Sequence, residues 1–198
     1  MKIKDVGVVI LAAGKSERMK EMKAFLRFDE THSFIDRIVE NYSSWGCREI
    51  VIVTSPDACR RINTEKNIPE WVSLIVNDHL DFERFYSVKL GIGAINTSPF
   101  CFIQNIDNPF IDEEILDYLY QYRSPEQYIS PVFMEKGGHP VLLNRKNMKQ
   151  ILSWPENSAT FKEVLSTMDS RRIEMQDERV LVNINNPGDY DRYFHKNQ

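Results

Sequence analysis

The sequence predicts an α/β fold with a mainly parallel sheet. Between Val6 and Tyr122, four short β-branched runs are each followed by a longer stretch with helical spacing of apolar residues. The chain of 198 residues, 42% of them apolar, is long enough to bury a sizeable core within one domain.

"VGVVIL", Val6 to Leu11, reads as a buried strand. Apolar positions at Phe34, Ile35, Ile38, Val39 and Tyr42 predict a helix, with Ser33 as its N-cap and Gly46 as its stop. "EIVIVTS" is the next strand, and "PDACRRI" begins a short helix with Pro56 at a tolerated first-turn position. "WVSLIVN" is a third strand, "DFERFYSVKLGIGAI" a helix and "PFCFIQNID" a fourth strand. "DEEILDYLYQY" predicts a helix whose acidic first turn suits the helix dipole.

After about Gln127 the pattern changes. "YISPVFMEKGGHPVLLN" predicts two strands around a tight turn at Lys136 to Gly138. Helices are expected in "RKNMKQILSW" and "TFKEVLSTM", a strand in "VLVNINNP" and a last helix in "PGDYDRYF". With no internal repeat and no low-complexity segment, residues 1–198 are expected to form a single domain.

Composition narrows the function classes. A net charge of -4 argues against a general nucleic-acid binder, yet leaves room for a local basic pocket. Cys47, Cys59 and Cys101 are odd in number, widely spaced and without a C-x-x-C pair, so neither a zinc site nor a disulfide framework is expected. Reduced thiols fit a cytoplasmic protein. "MKIKDVGVVILAAG" imitates a signal peptide, but the apolar run is short, Asp5 abuts it and a basic segment follows. No apolar stretch approaches the ~20 residues of a membrane span, so no membrane partner is expected.

Parallel sheets place ligands at the carboxyl ends of their strands. The segments after Leu11, after Asn77 and after Gln104 all lie there and are expected to converge. The first of them, "LAAGKSERMKEMK" (Leu11 to Lys23), gathers Lys15, Arg18, Lys20 and Lys23 beside Gly14 and Ser16. As a strand-to-helix turn it would offer backbone N–H groups to phosphate oxygens. Gly14 would admit close approach, Ser16 would add a hydroxyl, Arg18 would fork onto phosphate, and Lys23 would place a point charge on it. Neither G-x-x-x-x-G-K-[ST] nor G-x-G-x-x-G is present. From the residues alone a solvated basic turn is the alternative.

"LAAGKSERM" followed by a lysine resembles the signature of MobA-like NTP transferases, a group that includes molybdenum-cofactor cytidylyl- and guanylyltransferases. The resemblance implies a three-layer α/β/α, Rossmann-like nucleotide-diphospho-sugar transferase (GT-A-like) fold. It also implies that Leu11, Ala12, Ala13, Gly14, Ser16, Arg18 and Lys23 bind the triphosphate of an NTP. Four further segments match in order. "YSVKLGI" resembles the family's helix start near base and ribose, at Ser87; "NIDNPF" resembles its D-x-P segment, with Asp107 as the magnesium-binding aspartate. "GGHPVLL" resembles the acceptor-side segment, at Gly138, His139 and Pro140; "VNINNPGDY" resembles the C-terminal metal-completing segment, at Asn185. Residues 1–126 would then form the NTP-binding part and 127–198 the acceptor-side and metal-completing part.

The chain also departs from the family pattern. Lys20 and Met22 stand where the family usually has Gly and Pro, and "QNID" is more polar at Gln104 and Asn105. Asn185 replaces a common Asp, and "DFERFYS" replaces a glycine-containing turn. For Asp107 a turn-forming role is the plain alternative, for Asn185 a strand's solvent face, for His139 a buried turn histidine and for Ser87 helix capping. Lys15, Lys20, Arg60 and Arg61 are expected as surface charges. Phe82, Phe85 and Tyr86 are expected to pack, with Phe82 or Phe85 available to stack on a base.

The expected activity is magnesium-dependent transfer of an NMP from an NTP, with CTP favoured, to a phosphorylated small molecule such as molybdopterin or a sugar phosphate. Arg18, Lys23 and Asp107 would be the catalytic residues, and no catalytic thiol is expected. The alternatives are a nucleotide-sugar-dependent glycosyl transferase and a non-catalytic nucleotide-binding relative. A monomer is the default, with a homodimer as the other state.

Overall fold

The computed structural model describes residues 3–194 except 15, 17, 67 and 83. Lys15, expected as a surface charge, and Glu83, expected inside a helix, lie outside the described residues, as do Met1 and Lys2 of the signal-like start.

Among the described residues, eight strands form one sheet: β1 (Lys4–Ala12), β2 (Cys47–Thr54), β3 (Ser73–Val76), β4 (Phe100–Asn105), β5 (Tyr128–Phe133), β6 (Lys136–Gly137), β7 (Val141–Asn144) and β8 (Ser170–Glu174). Their order is β3-β2-β1-β4-β7-β5-β6, and β8 pairs with β5. The first four strands are mutually parallel, and β8 runs parallel to β5. Among the named strands, β7 against β4 and β5, and the β5–β6 hairpin, pair antiparallel. The mainly parallel sheet expected from the alternating pattern is therefore present.

Helices cover both faces. They are α1 (Phe34–Trp45), α2 (Pro56–Glu65), α3 (Arg84–Gly93), α4 (Glu113–Gln121), α5 (Arg145–Leu152), α6 (Phe161–Ser166) and α7 (Pro187–Phe194). Strand β1 shows why two helical layers are needed. Val6, Val8, Ile10 and Ala12 face the core shared with α1 and α4, while Val9, Leu11 and Ala13 face the core shared with α3, α5 and α6. Successive side chains of a strand point to opposite faces, and here both faces are apolar.

Local chemistry sets the helix ends. Asp36 accepts from the Ser33 N–H at 2.9 Å, and Gly46 closes α1 in the left-handed region, as the sequence suggested. Ser55 caps α2 by accepting from the Ala58 N–H at 3.2 Å. Asp112 caps α4 through the Ile115 N–H at 3.0 Å. Helix α3 lies close on the sheet because residue 91 is glycine: a Cβ there would stand 2.2 Å from Val9 Cγ1 and 2.9 Å from Val53 Cγ2. Ser87, one turn earlier on the same helical face, is carried down with it.

Three expectations need correction. Among the described residues no α-helix lies between β1 and α1: a turn at 18–19 and a 3-10 turn at Lys23–Phe25 come first, and α1 begins only at Phe34. The tight turn of the C-terminal hairpin lies at Met134 and Glu135, both with positive φ, and not at Lys136 to Gly138, which carry β6 and the crossing to β7. Residues expected as the strand "VLVNINNP" form a 3-10 turn at Glu178–Leu181 and an extended segment without a ladder. The buried and less buried residues still alternate there, because Val182 and Ile184 insert into the core.

Candidate functional site

A cleft of about 780 Å³ opens at the carboxyl ends of the central parallel strands. The loop after β1 supplies Leu11 to Gly14, Ser16, Arg18, Met22 and Lys23. The start of α2 supplies Ser55 to Ala58, the segment after β3 supplies Asn77, Leu80 and Phe82, and α3 supplies Arg84 and Ser87. The segment at the end of β4 supplies Asn105 to Asp107, and the extended C-terminal segment supplies Asn185. The three segments expected to converge do so.

Main-chain bonds tie these pieces together. The Ile106 N–H donates to the Leu11 carbonyl at 3.2 Å, and the Ile184 N–H donates to the Asp107 carbonyl at 2.8 Å. The second bond places Asn185 beside Asp107, and the Asn185 N–H is held by Asp189 Oδ2 at 2.9 Å. Asn108 reinforces the join: its buried amide donates to the carbonyls of Arg179 and Val182 at 3.0 and 2.6 Å. Gln104, a departure from the family pattern, is a fully buried polar staple. It accepts from the Tyr42 hydroxyl at 3.0 Å and donates to the carbonyls of Asn105 and Asn108 at 2.9 and 2.8 Å, fixing the turn that carries Asp107.

Lys23 sits at the centre. Its Nζ donates to Asp107 Oδ2 at 3.0 Å and to Asn185 Oδ1 at 2.9 Å. Its own N–H donates to Ser16 Oγ at 3.3 Å, and Ser16 Oγ donates to the Gly14 carbonyl at 3.4 Å. The Ser16 hydroxyl thus closes the loop and positions Lys23. Arg18 is exposed at the cleft mouth. Lys20 adopts φ 60° on the surface, in the left-handed region that favours glycine.

Ser87 is buried and accepts from Asn77 Nδ2 at 2.9 Å, while Asn77 Oδ1 accepts the His79 N–H. Phe85 belongs wholly to the core, whereas Phe82 lines the cleft and stacks on His79 with ring centroids 5.2 Å apart. Arg61 pairs with Glu65 at 2.9 Å and covers the Phe25 ring, and Arg60 pairs with Asp57 on the exposed flank of α2.

Gly138, His139 and Pro140, expected on the acceptor side, lie apart from the cleft lining. Gly138 packs against the Val180 main chain, and the His139 N–H donates to the Val180 carbonyl at 2.9 Å. The buried His139 Nδ1 has no hydrogen-bond partner among the described residues. Burial pushes the His139 imidazole down to about 4, the Arg84 charge pushes the same way, and Asp107 opposes them. Pro140 follows through a cis peptide bond.

Sequence reasoning missed the start of α2 and Asn77 as cleft residues. The carboxyl-end rule applied to β2 would have found the first. Asn77 carried no motif.

The donor set near Lys23 suits a hard cation. Asp107 Oδ1 is buried without a hydrogen-bond partner among the described residues, and the Asn185 amide oxygen converges on the same point as the carboxylate. Magnesium typically takes one or two protein oxygens and completes its shell with water and substrate phosphates. No group of three or more His, Cys, Asp or Glu suited to a metal occurs among the described residues.

A mainly parallel α/β sheet with a basic, glycine-containing loop and a carboxylate at its strand ends suits a nucleotidyltransferase. The chain belongs to the MobA-like NTP transferase domain family, which it matches over residues 8–174. It is 28% identical, over 72% of its own length and 67% of the relative's, to a protein of Clostridium perfringens strain SM101 described as a probable molybdenum cofactor guanylyltransferase. Among solved structures, a nucleotidyl transferase from Methanothermobacter thermautotroptrophicus superposes with a TM-score of 0.78 at 18% identity, covering 97% of this chain and 99% of that one. Rv0371C of Mycobacterium tuberculosis H37Rv, solved in complex with manganese, superposes with a TM-score of 0.77 at 14% identity, covering 98% and 100%. No helix among the described residues is long and apolar enough to cross a membrane.

Proposed function

We propose that this nucleotidyltransferase moves GMP from GTP to the phosphate of a molybdopterin-like acceptor and releases pyrophosphate. The observation that carries the reading is the meeting of Lys23, Asp107 and Asn185 in one cleft with the glycine-containing loop. The sequence alone favoured CTP; the guanylyltransferase name of the curated relative supports GTP instead.

An acceptor phosphate oxygen bonds to the α-phosphorus as the bond from that phosphorus to the β-bridging oxygen breaks. The nucleophile is already ionised at neutral pH, so the protein needs no strong base. Its work is to align two anions and to neutralise the leaving group. Lys23 and Arg18 place positive charge against the departing pyrophosphate. The open face at Gly14 leaves room for the phosphates, and the N-terminal end of α2 adds a favourable dipole. Asp107 and Asn185 would hold magnesium, which when bound lessens repulsion between phosphate oxygens. Manganese in the Rv0371C structure supports a divalent ion in this fold. Ser87 and Phe82 would flank base and ribose, and Gly138, His139 and Pro140 would shape the acceptor side. Residues 1–126 and 127–198 act as the two parts of one domain.

The test is calorimetric binding of GTP, CTP, ATP and UTP with and without magnesium, followed by turnover with molybdopterin. Magnesium-strengthened binding of GTP above the others, with pyrophosphate released only when acceptor is present, is expected. Lys23→Ala should lose about 1.5–3 kcal/mol of triphosphate binding. Asp107→Ala should abolish magnesium-dependent turnover while folding normally. An active Asp107→Ala protein removes the metal assignment, and binding without turnover on any acceptor points to a non-catalytic relative.

A further inference from the structure

Lys23, Asp107 and Asn185 are brought together from positions 84 and 162 residues apart, and all three are partly buried. The ammonium lies 3.0 and 2.9 Å from the two oxygens. Magnesium would need those same oxygens at about 2.0–2.1 Å. Two cations cannot share that point. The second carboxylate oxygen, Asp107 Oδ1, stays buried without a hydrogen-bond partner among the described residues, so the ammonium satisfies only part of the anionic site.

We propose that Lys23 is a resident counter-ion, which holds the divalent-cation position in the nucleotide-free protein and leaves it when a triphosphate arrives. This rests on the nucleotidyltransferase reading for the identity of the anion that draws Lys23 away. A lysine suits the task because its charge is compact and its four-carbon stem is flexible. An arginine fork would be harder to release. Lys23 opens a 3-10 turn, and the 3.3 Å bond from its N–H to Ser16 Oγ holds its main chain and not its ammonium, so rotation of the side chain alone releases Nζ.

The consequence is a coupling between two ligands. A cation alone must displace Lys23, and a triphosphate alone must pull Lys23 from Asp107. Each ligand removes the obstacle to the other, and the effect is reciprocal by linkage. Removing the Lys23 charge therefore has opposite effects on the two: nucleotide binding weakens, but metal binding without nucleotide strengthens. A lysine that only touched phosphate would show the first effect without the second.

The experiment is titration of Mn2+ into nucleotide-free protein, followed by calorimetry and by the paramagnetic resonance of free Mn2+. Wild type, Lys23→Met and the double variant Lys23→Met with Asp107→Asn are compared, with circular dichroism as the check on folding. Lys23→Met keeps most of the stem and removes the charge; Lys23→Gln replaces it if that variant does not fold. Lys23→Met should bind Mn2+ at least about tenfold more tightly than wild type, and the double variant should lose the gain. A folded Lys23→Met whose Mn2+ affinity equals or falls below wild type overturns the proposal. Nucleotide titrations of wild type separate the two readings. GTP binding with no Mn2+ gain in Lys23→Met sinks the counter-ion alone. A Mn2+ gain in a protein that binds no NTP sinks the nucleotidyltransferase reading and leaves the counter-ion standing.

Discussion

The main chain of Gly138 lies directly against that of Val180. A Cβ built on Gly138 would stand 2.5 Å from the Val180 carbonyl oxygen and 2.9 Å from its carbon. The neighbouring His139 N–H donates to the same carbonyl at 2.9 Å. This approach seats the turn at Glu178–Leu181 on the hairpin and so fixes the start of the segment that delivers Asn185. Gly138→Ala must push that turn away. We expect a loss of about 1–3 kcal/mol in chemical denaturation. Turnover should fall by more than the fraction unfolded explains, because Asn185 moves relative to Asp107.

Asn108 joins the same two segments from the other side. Its amide satisfies the carbonyls of Arg179 and Val182 in a buried position. Asn108→Ala leaves both acceptors without that donor and should cost about 1–3 kcal/mol in a thermal or urea melt. Asn108→Asp, which keeps the volume but replaces the donor with an acceptor, should be at least as damaging.

Gly14 offers a separation of stability from binding. A Cβ there meets no atom of the described residues within 4 Å, yet the residue lines the cleft. Gly14→Val should leave stability within about 0.5 kcal/mol of wild type. Nucleotide affinity should fall about tenfold or more, since the added methyls enter the space reserved for phosphate. Unchanged affinity in calorimetry would remove Gly14 from the nucleotide site.

Lys20 holds a left-handed backbone at φ 60°. That conformation costs a side-chain-bearing residue about 1–2 kcal/mol, of which a glycine gives back about 0.5–1 through the greater freedom of its unfolded chain. Lys20→Gly should therefore raise the melting temperature slightly. A clear fall would show that the Lys20 side chain contributes a contact of its own.

His139 gives the protein an acid-side weakness. Burial first, and the Arg84 charge second, push its imidazole down to about 4, against an ordinary value of 6.5. Between those values the unfolded chain binds a proton that the folded chain lacks. Stability is therefore complete above about 6.5 and is lost as pH falls towards 4, with a ceiling near 3 kcal/mol. His139→Asn should flatten this part of the stability profile, measured by urea melts at successive pH values. An unchanged slope would mean that His139 takes its proton equally well in both states.

Much of the architecture was written in local patterns. The apolar run of β1, the cap at Ser33, the acidic first turn of α4 and the alternation of strand with helix all act over a few residues, so the parallel sheet followed from them. The extended segment before α7 misled, because Val182 and Ile184 alternate with Asn183 and Asn185 as a strand would, while among the described residues the segment joins no ladder and makes the single Ile184–Asp107 main-chain bond beyond β4. The hairpin turn misled because its glycines serve the close pass at Val180, whereas Met134 and Glu135 take the positive φ angles.

The sequence by itself determined the four strand-and-helix units of a mainly parallel sheet, because periodicity is a local property of the chain, and the resemblance of its motifs named Lys23, Asp107 and Asn185 as candidates. Only the tertiary structure decided that Lys23 stands between Asp107 and Asn185, that Ser16 closes its own loop, and that Gly138, His139 and Pro140 lie outside the cleft lining. Those relations depend on the Ile184–Asp107 main-chain bond and the Gly138–Val180 contact, which join segments far apart in the chain. Such pairings are set by packing of the whole molecule, and no local pattern encodes them.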